Sequence, residues 1–246
     1  KNPKDYTLVG FDTLRKDSLS KSNGTAQYSM DINIDGMVFA MVKRPSSFGA
    51  EYMSSNLEEI KKQPGIIDVI LIPRGVAVVG ENTWSVIKAK KNLKVEWSKK
   101  NPINNDSEVY STYMEKLILE KADVAKKKGK PKKISKESNN IFKAKYSLPF
   151  QAHAAMEPCN CVVNVKNDSC EIWAGTQNPK NAIDRASKIT GLDKKKIKIN
   201  VTFLGGGFGR KSFNDFIDEG LYISINLSWL QSIPSEPDSI YSEINN

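Results

Sequence analysis

Four of the five residues from 205 to 209 are glycine, in the run Gly205-Gly206-Gly207-Phe208-Gly209. An apolar, β-branched run (197–203) precedes it, and a helical pattern (214–225) follows it. Glycine adopts left-handed conformations easily and lets other groups approach the backbone closely. Backbone N–H groups at a helix start favour negative oxygen atoms. The pattern therefore predicts a strand, a loop that binds an anion or cofactor, and a helix. A plain tight connection is the alternative.

Two nucleotide motifs do not fit this loop. A P-loop requires Gly-Lys-Ser/Thr, but Arg210 stands between Gly209 and Lys211. The dinucleotide pattern requires a third glycine where this chain has Arg210 or Ser212. The loop is therefore not a nucleotide site of either kind.

The formal charge of +9 on 246 residues comes mostly from lysine. Much of the excess lies in three runs, 99–100, 121–133 and 194–198, in which no arginine or aromatic residue interleaves. We expect solvated loops and faces, and no nucleic-acid partner. The competing hypothesis of a basic nucleic-acid-binding protein predicts salt-dependent retention on DNA. No apolar run approaches about eighteen residues, so we expect no membrane span.

The cysteines, Cys159, Cys161 and Cys170, and the single histidine, His153, do not form a zinc pattern. Cys159 and Cys161 are spaced too closely for the usual pair, and no second pair exists. We expect ordinary thiols and no metal bound by protein ligands alone.

The chain opens on Lys1 rather than Met, so we expect a boundary there. The compartment, periplasmic or cytoplasmic, is left open.

Hydrophobic periodicity predicts an α+β chain. Asn56 is expected to cap the first helix of its N-terminal half, and Ser107 the helix after a polar break. Asn178-Pro179 is expected to begin a helix that ends at Gly191. The expected strands are 26–32, 37–44, 66–72, 76–79, 93–97, 141–148, 161–165, 170–174 and 197–203. The expected helices are 54–63, 83–91, 107–119, 182–190 and 214–225. Residues 121–138 are expected to be a loop, and the chain past Ser232 to be disordered.

Three motifs in order carry a family resemblance. They are Gln151-Ala152-His153-Ala154-Ala155-Met156-Glu157-Pro158, then Glu171-Ile172-Trp173-Ala174-Gly175-Thr176-Gln177-Asn178-Pro179, then Leu204-Gly205-Gly206-Gly207-Phe208-Gly209-Arg210-Lys211. Together they resemble the molybdopterin-binding large subunit of the xanthine dehydrogenase/aldehyde oxidase family, of the isoquinoline 1-oxidoreductase beta subunit type. Runs such as Lys43-Arg44-Pro45 and Val95-Glu96-Trp97 extend the resemblance to about residues 5–225.

The resemblance implies a domain order. An irregular segment (1–19) precedes an a/b hammerhead domain (20–98). A linker with the lysine-rich loop (99–138) leads to the first part of a molybdopterin-binding α+β domain (139–226), and a tail (227–246) lies outside the family pattern.

The resemblance also implies a cofactor and a chemistry. Molybdopterin, in some relatives as its cytosine dinucleotide, holds molybdenum and hydroxylates an aldehyde or N-heterocycle with oxygen from water. Electrons leave through an iron–sulfur small subunit. Gln177 would hydrogen-bond an oxygen ligand of molybdenum, and Gly206, Gly207, Phe208 and Gly209 would line the cofactor.

The roles of the flanking residues are open. Arg210 and Lys211 are expected either to meet cofactor phosphates or to form a solvated helix start. His153 is a candidate base with Glu157 as its partner, but a structural wall beside the cofactor is the favoured interpretation of that segment.

Two departures limit what the resemblance carries over. Purine-oxidising relatives carry Glu two residues beyond the position of Arg210, where this chain has Ser212, so purines are not the expected substrate. The family's catalytic glutamate lies far downstream, so no catalytic residue is assigned here. We therefore expect a truncated chain with an incomplete cofactor site, inactive alone, whose missing part a separate chain supplies. A non-catalytic remnant or interaction module is the alternative.

Overall fold

The computed structural model describes residues 2–47, 49–98, 106–137, 140–142 and 144–232. They fall into two compact units, the first within 1–45, 52–97 and 153–246 and the second within 46–51 and 98–152. The disorder expected past Ser232 lies outside the described residues.

The strands are β1 (Phe39–Lys43), β2 (Tyr52–Ser55), β3 (Ile66–Ile72), β4 (Gly75–Gly80), β5 (Val95–Trp97), β6 (Val162–Val165), β7 (Cys170–Ala174) and β8 (Ile197–Val201). The helices are α1 (Ser18–Ser22), α2 (Leu57–Lys61), α3 (Thr83–Asn92), α4 (Ser107–Leu119), α5 (Pro131–Glu137), α6 (Pro179–Thr190) and α7 (Asp215–Ser232). The predicted α+β class is confirmed.

Strand β4 is the centre of the N-terminal half of the first unit. It lies between β1 and β3 in an antiparallel sheet, and all of its residues are buried. Alternate side chains of a strand point to opposite faces. Val76 and Val78 pack with α2 and α3, whereas Ala77 and Val79 pack against Ile223 of α7. An almost continuous apolar sequence is therefore explained by burial of both faces.

A second, two-stranded sheet pairs β2 with β5. Helix α2 is shorter than predicted because residues 52–55, at the edge of that prediction, form β2. Asn56 stands at the predicted cap position of α2 but makes no side-chain cap there. Its Oδ1 atom instead accepts from the Lys94 N–H at 2.7 Å. Asn56 therefore joins α2 to the segment before β5.

The C-terminal half of the first unit contains the predicted hairpin, β6 and β7, and β8 lies parallel to β7. Helix α6 makes the crossover between the parallel strands, as such a connection requires. Asn178 caps it by accepting from the Asn181 N–H, and Gly191 ends it at a φ of +73°. These start and stop signals are confirmed. The buried core of this C-terminal half consists of Cys170, Ile172, Ala174, Ala182, Ala186, Ile197, Phe216, Ile217 and Leu221.

The second unit contains α4 and α5. Helix α4 has the predicted bounds, but its cap is Asp106, which accepts from the Glu108 N–H at 2.7 Å, rather than Ser107. No residue of α4 is buried. Tyr110 packs edge-on against Phe150, with ring centroids 5.8 Å apart. The lysine-rich segment predicted as a loop contains α5, which has Pro131 at its start.

Two predicted strands are wrong. Residues 26–32 contain a single bridge, from Tyr28 to Phe203, followed by a 3-10 turn at Ser29–Asp31. The turn forms because the Asp31 carboxylate accepts from the Tyr28 N–H at 2.9 Å, an alternative to strand pairing. Among the described residues of 141–148, none is in a strand. In the part of the chain that the structure describes, no helix has the length and apolar character needed to cross a membrane.

Candidate functional site

The loop after β8 has left-handed backbone at Gly206, Phe208 and Gly209, where φ is +91°, +51° and +94°. Phe208 is not a glycine, so this conformation costs roughly 1 kcal/mol, and its ring is 73% exposed. Strain of this kind persists where the surroundings hold the backbone, and it clusters at ligand sites. The loop is therefore a shaped element rather than a plain connection.

Two glycines of the loop leave room for the protein's own side chains. A Cβ on Gly205 would lie 2.4 Å from the Cβ of Glu157. A Cβ on Gly207 would lie 2.6 Å from Oε1 of Gln177. The loop backbone is therefore approached closely by two residues that the family motifs also contain.

Gln177 is fixed to the loop at both its backbone and its side chain. Its N–H donates to the Lys211 carbonyl at 3.0 Å, and its Oε1 accepts from the Gly209 N–H at 3.1 Å. Since Oε1 is bound to the loop backbone, the amide NH₂ is the end left for another partner. Among the described residues it has no hydrogen-bond partner, and the side chain is exposed. The structure thus presents one oriented donor beside the loop.

The loop also presents backbone donors. Within the described ranges, no acceptor is found for the N–H groups of Gly206, Gly207 and Phe208. Gly207 is buried. Buried backbone N–H groups are nearly always paired, with water or a ligand where the protein offers no acceptor. These donors and the Gln177 amide therefore suit a ligand rich in oxygen atoms.

A buried ion pair lies behind the loop. Lys211 is 1% exposed and Glu157 is 7% exposed, and Nζ of Lys211 is 2.6 Å from Oε2 of Glu157. The carboxylate also accepts from the N–H groups of Gly205 (3.0 Å) and Ser29 (3.1 Å). Burial acts to raise the pKa of Glu157, but hydrogen bonds, chiefly from Lys211, hold that pKa below its ordinary value.

The segment before Glu157 lies beside the loop. A Cβ on Gly209 would be 4.0 Å from Nε2 of His153, and one on Gly206 would be 3.4 Å from the Cβ of Ala155. His153 is exposed, and in the described structure no hydrogen bond joins it to Glu157. The pairing of His153 with Glu157 as a base is therefore not formed, and the geometry suits the wall interpretation.

Arg210 and Lys211 differ from each other. The Arg210 guanidinium binds both carboxylate oxygens of Asp215, at 2.8 and 2.9 Å, and this hydrogen bonding raises the pKa of Arg210. Lys211 is buried against Glu157. At 1% exposure Lys211 is neither a solvated helix start nor open to a cofactor phosphate, so both expectations are wrong for this residue. It serves instead as the counter-ion of Glu157 inside the protein.

A row of carboxylates at the start of α7 was not predicted from the sequence. Asp215, Asp218 and Glu219 each bind an arginine: Arg210, Arg185 and Arg44 respectively. Carboxylates in a first turn match the helix dipole, and that signal was present in the sequence. Arg210 is only five residues from Asp215, but Arg185 and Arg44 are distant in sequence from Asp218 and Glu219, which a local pattern does not reveal.

A second unpredicted network is built around Thr176 and Asn214, both of which are buried. The Thr176 hydroxyl donates to Oδ1 of Asn214 at 2.6 Å and accepts from the Asn178 N–H at 3.0 Å. Nδ2 of Asn214 donates to the Asn178 carbonyl at 3.0 Å. The network fixes the turn that carries Gln177 against the start of α7.

The thiols take no part in this site. Cys159 and Cys161 are half-buried, Cys170 is buried, and all three are free thiols, as predicted; the Cys161 thiol donates to the Phe216 carbonyl at 3.3 Å. Burial raises the pKa of Cys161 to about 12 and that of Cys170 to about 11. Over the residues that the structure describes, no group of three or more His, Cys, Asp or Glu side chains is arranged to hold a metal ion.

A family model for the molybdopterin cofactor-binding domain matches residues 115–224. This range includes Gln177 and the whole glycine loop.

Known proteins are similar over most of the chain. The isoquinoline 1-oxidoreductase subunit beta of Brevundimonas diminuta is 34% identical over 86% of this chain and 28% of its own length. The membrane-bound aldehyde dehydrogenase [pyrroloquinoline-quinone] of Gluconacetobacter polyoxogenes is 28% identical over 85% of this chain and 29% of its own length. The chain thus spans less than a third of the curated relatives it matches.

Solved structures share the fold. Quinoline 2-oxidoreductase from Pseudomonas putida 86 superposes on 89% of this chain and 33% of its own, with a TM-score of 0.65 and 16% identity. The Cu,Mo-CO dehydrogenase superposes on 89% of this chain and 34% of its own, with a TM-score of 0.67 and 19% identity. Sequence and fold agree with the resemblance carried by the motifs, and the chain belongs to the xanthine dehydrogenase/aldehyde oxidase family, within its molybdopterin-binding large subunits.

Proposed function

We propose that this chain forms one wall of a molybdopterin site in the large subunit of a molybdenum hydroxylase that oxidises aldehydes or N-heterocycles. The observation that carries the proposal is the exposed Gln177 amide, whose Oε1 accepts from the Gly209 N–H so that its NH₂ is left as a donor for a ligand. When bound, the molybdenum cofactor supplies a two-electron redox centre that hydroxylates carbon with oxygen from water. This chain's own residues bind and orient that group.

The donor set fits such a group. The Gln177 NH₂ is suited to donate to an oxygen ligand of the metal, because an amide donates without titrating. The backbone N–H groups of Gly206, Gly207 and Phe208 are suited to donate to negative oxygens of the cofactor. Like the Gln177 amide, they do not titrate near neutral pH. Gly209 contributes indirectly by holding Gln177.

Arg210 has a more limited part in the proposal. Its guanidinium is bound at two points by Asp215, so most of its charge is compensated within the protein. We assign it to the edge of the site, where the salt bridge keeps the end of the loop in place. A contact with cofactor phosphates then requires Asp215 to share the guanidinium.

The site is proposed to be incomplete in this chain alone. Gln177, Phe208 and Gly209 are exposed, and the chain spans only 28% of its isoquinoline-oxidising relative. Helix α4 carries exposed apolar side chains, including Tyr113, Met114 and Ile118, as expected of a surface that another protein covers. We propose two partners: a chain carrying the rest of the large subunit, and an iron–sulfur subunit that accepts the electrons.

The test is to purify the chain from cells that make molybdopterin, alone and together with the remainder of a related large subunit. Molybdenum is measured by mass spectrometry, and aldehyde oxidation with a dye acceptor. We expect substoichiometric metal and no turnover from the chain alone, and bound metal from the complex. Release of cytidine monophosphate on acid treatment distinguishes the cytosine dinucleotide from plain molybdopterin. Stoichiometric molybdenum with turnover in the chain alone contradicts the incomplete site.

Gln177→Ala is the specific variant, and Gln63→Ala is its control, since Gln63 is a partly buried glutamine of the N-terminal half that binds Asn92. In the complex, Gln177→Ala should lower molybdenum retention about tenfold, as the loss of a hydrogen bond to a charged group predicts, while Gln63→Ala should leave it unchanged. Equal retention in the two variants removes Gln177 from the site.

A further inference from the structure

We infer that the buried pair of Glu157 and Lys211 is a positioning device that sets the shape of the glycine loop. Neither residue belongs to the proposed donor set, and neither is open to solvent. The inference that this shape prepares the loop for a cofactor rests on the proposed function. The effect of the pair on the loop is independent of that function and is measurable without any cofactor.

Glu157 fixes the beginning of the loop through both its backbone and its side chain. The Glu157 N–H donates to the Gly205 carbonyl, and the Gly205 N–H donates to Oε2 of Glu157, both at 3.0 Å. Gly205 lacks the Cβ that would clash with Glu157 at 2.4 Å. The carboxylate therefore determines where the loop leaves the extended segment after β8.

Lys211 fixes the end of the loop. Its ammonium group donates to the same Oε2 of Glu157 at 2.6 Å. Its carbonyl accepts from the Gln177 N–H at 3.0 Å, and Oε1 of Gln177 accepts from the Gly209 N–H. A closed set of contacts thus runs from Glu157 through Lys211 and Gln177 back to the loop.

Stability alone does not account for such a pair. Buried ion pairs are often replaced by apolar residues of similar volume with no loss of stability, whereas removing one partner leaves an uncompensated buried charge. What apolar residues cannot replace is the acceptor for the Gly205 N–H. If the pair positions the loop, replacing both residues with apolar ones should restore stability without restoring the order of the loop. If the pair is only structural, the same replacement should restore both.

The experiment measures amide hydrogen exchange over residues 203–212 in the full chain, together with the urea midpoint of unfolding. Lys211→Met should lower the midpoint and speed exchange in the loop. Glu157→Met combined with Lys211→Met removes both charges. This double variant should recover much of the midpoint, while exchange at Gly205 stays about tenfold or more above wild type because its acceptor is gone.

Glu219→Gln is the matched control. Glu219 is a buried carboxylate of the same unit that binds Arg44 rather than the loop. It should lower the midpoint and leave loop exchange unchanged.

Recovery of both properties in the double variant means that the pair is only structural and overturns the inference. Loop exchange that rises as much in Glu219→Gln also overturns it. If the inference fails while Gln177→Ala still lowers molybdenum retention, the proposed function stands. Fast loop exchange in the double variant, together with normal retention in Gln177→Ala, supports the positioning role and contradicts the proposed function.

Discussion

At the scale of single residues, Gly205 and Gly207 serve contacts inside the protein. Each leaves a space that another side chain fills, Glu157 at the first and Gln177 at the second. Gly206 and Gly209 serve the backbone instead, since both have positive φ. The same run of glycines therefore meets two separate demands, close approach and left-handed geometry. Gly207 and Gly209 together orient the Gln177 amide, because Gly207 leaves space for it and the Gly209 N–H binds its Oε1.

This division predicts different outcomes for two similar substitutions. Gly205→Ala places a methyl group against the Cβ of Glu157, which cannot move away, so we expect a loss of about 1–3 kcal/mol, as for overpacking. Gly207→Ala meets the end of the flexible Gln177 side chain, so the amide is displaced at less than about 1 kcal/mol. Urea unfolding measures these losses.

Molybdenum retention in the complex completes the comparison. Both alanine variants should lower it, because one moves the loop and the other displaces the Gln177 amide. Gly191→Ala, at a left-handed position with open space around it, is the control that should cost about 1 kcal/mol without lowering retention. A Gly207→Ala protein that keeps wild-type retention would show that the Gln177 amide need not lie where the structure has it.

At the scale of elements, the sequence predicted what local patterns determine. Strand β4 follows from an apolar run, helix α3 from its helical pattern, and helix α6 from the predicted start at Asn178 and stop at Gly191. The wrong strand at 26–32 has a local and a tertiary cause: the Asp31 carboxylate accepts from the Tyr28 N–H, and Ser29 donates its N–H to Glu157, far away in sequence. The left-handed backbone of the loop was predictable from its glycines. The position of Lys211 was not, because its burial depends on a carboxylate 54 residues away.

Helix α7 gives a prediction at the same scale. Burial acts to raise the pKa of Asp215, but hydrogen bonding to Arg210 holds that pKa below its ordinary value. A carboxyl with a lowered folded-state pKa stabilises the fold above its unfolded pKa, whose ordinary value is 3.8, and this contribution is lost as pH falls through the folded pKa. Stability should therefore fall as the pH drops below about 4.

Asp215→Asn should flatten that acid limb. The free energy of unfolding, measured in urea between about pH 3 and pH 7, is the readout. Asp184→Asn, at an exposed pair with Lys194, is the control, because salt screens such pairs and their contribution is small. An acid limb of the same steepness in Asp215→Asn and wild type would mean that Asp215 has the same pKa in both states.

At the scale of the whole molecule, the first unit combines two halves of the sequence around one strand. One face of β4 packs on its own helices, and the other packs on α7 through Ile223. Arg44, at the end of β1, binds Glu219 of α7. The predicted boundaries, a hammerhead domain over 20–98 and a cofactor-binding part over 139–226, remain predictions. The packing nonetheless couples the element that follows the glycine loop to the N-terminal sheet.

This coupling predicts that the two halves unfold together. Ile223→Ala removes a buried side chain from the shared face, so we expect a loss of about 2–5 kcal/mol. Trp97 reports on the N-terminal half and Trp173 on the C-terminal half, and each is isolated by replacing the other tryptophans with phenylalanine. The unfolding midpoints of both reporters should coincide and shift together in Ile223→Ala. Ile67→Ala, on the exposed side of β3, should shift neither by more than a small amount. Separate midpoints for the two tryptophans, or a shift confined to Trp173, would show that the halves are independent and that α7 docks on the sheet without stabilising it.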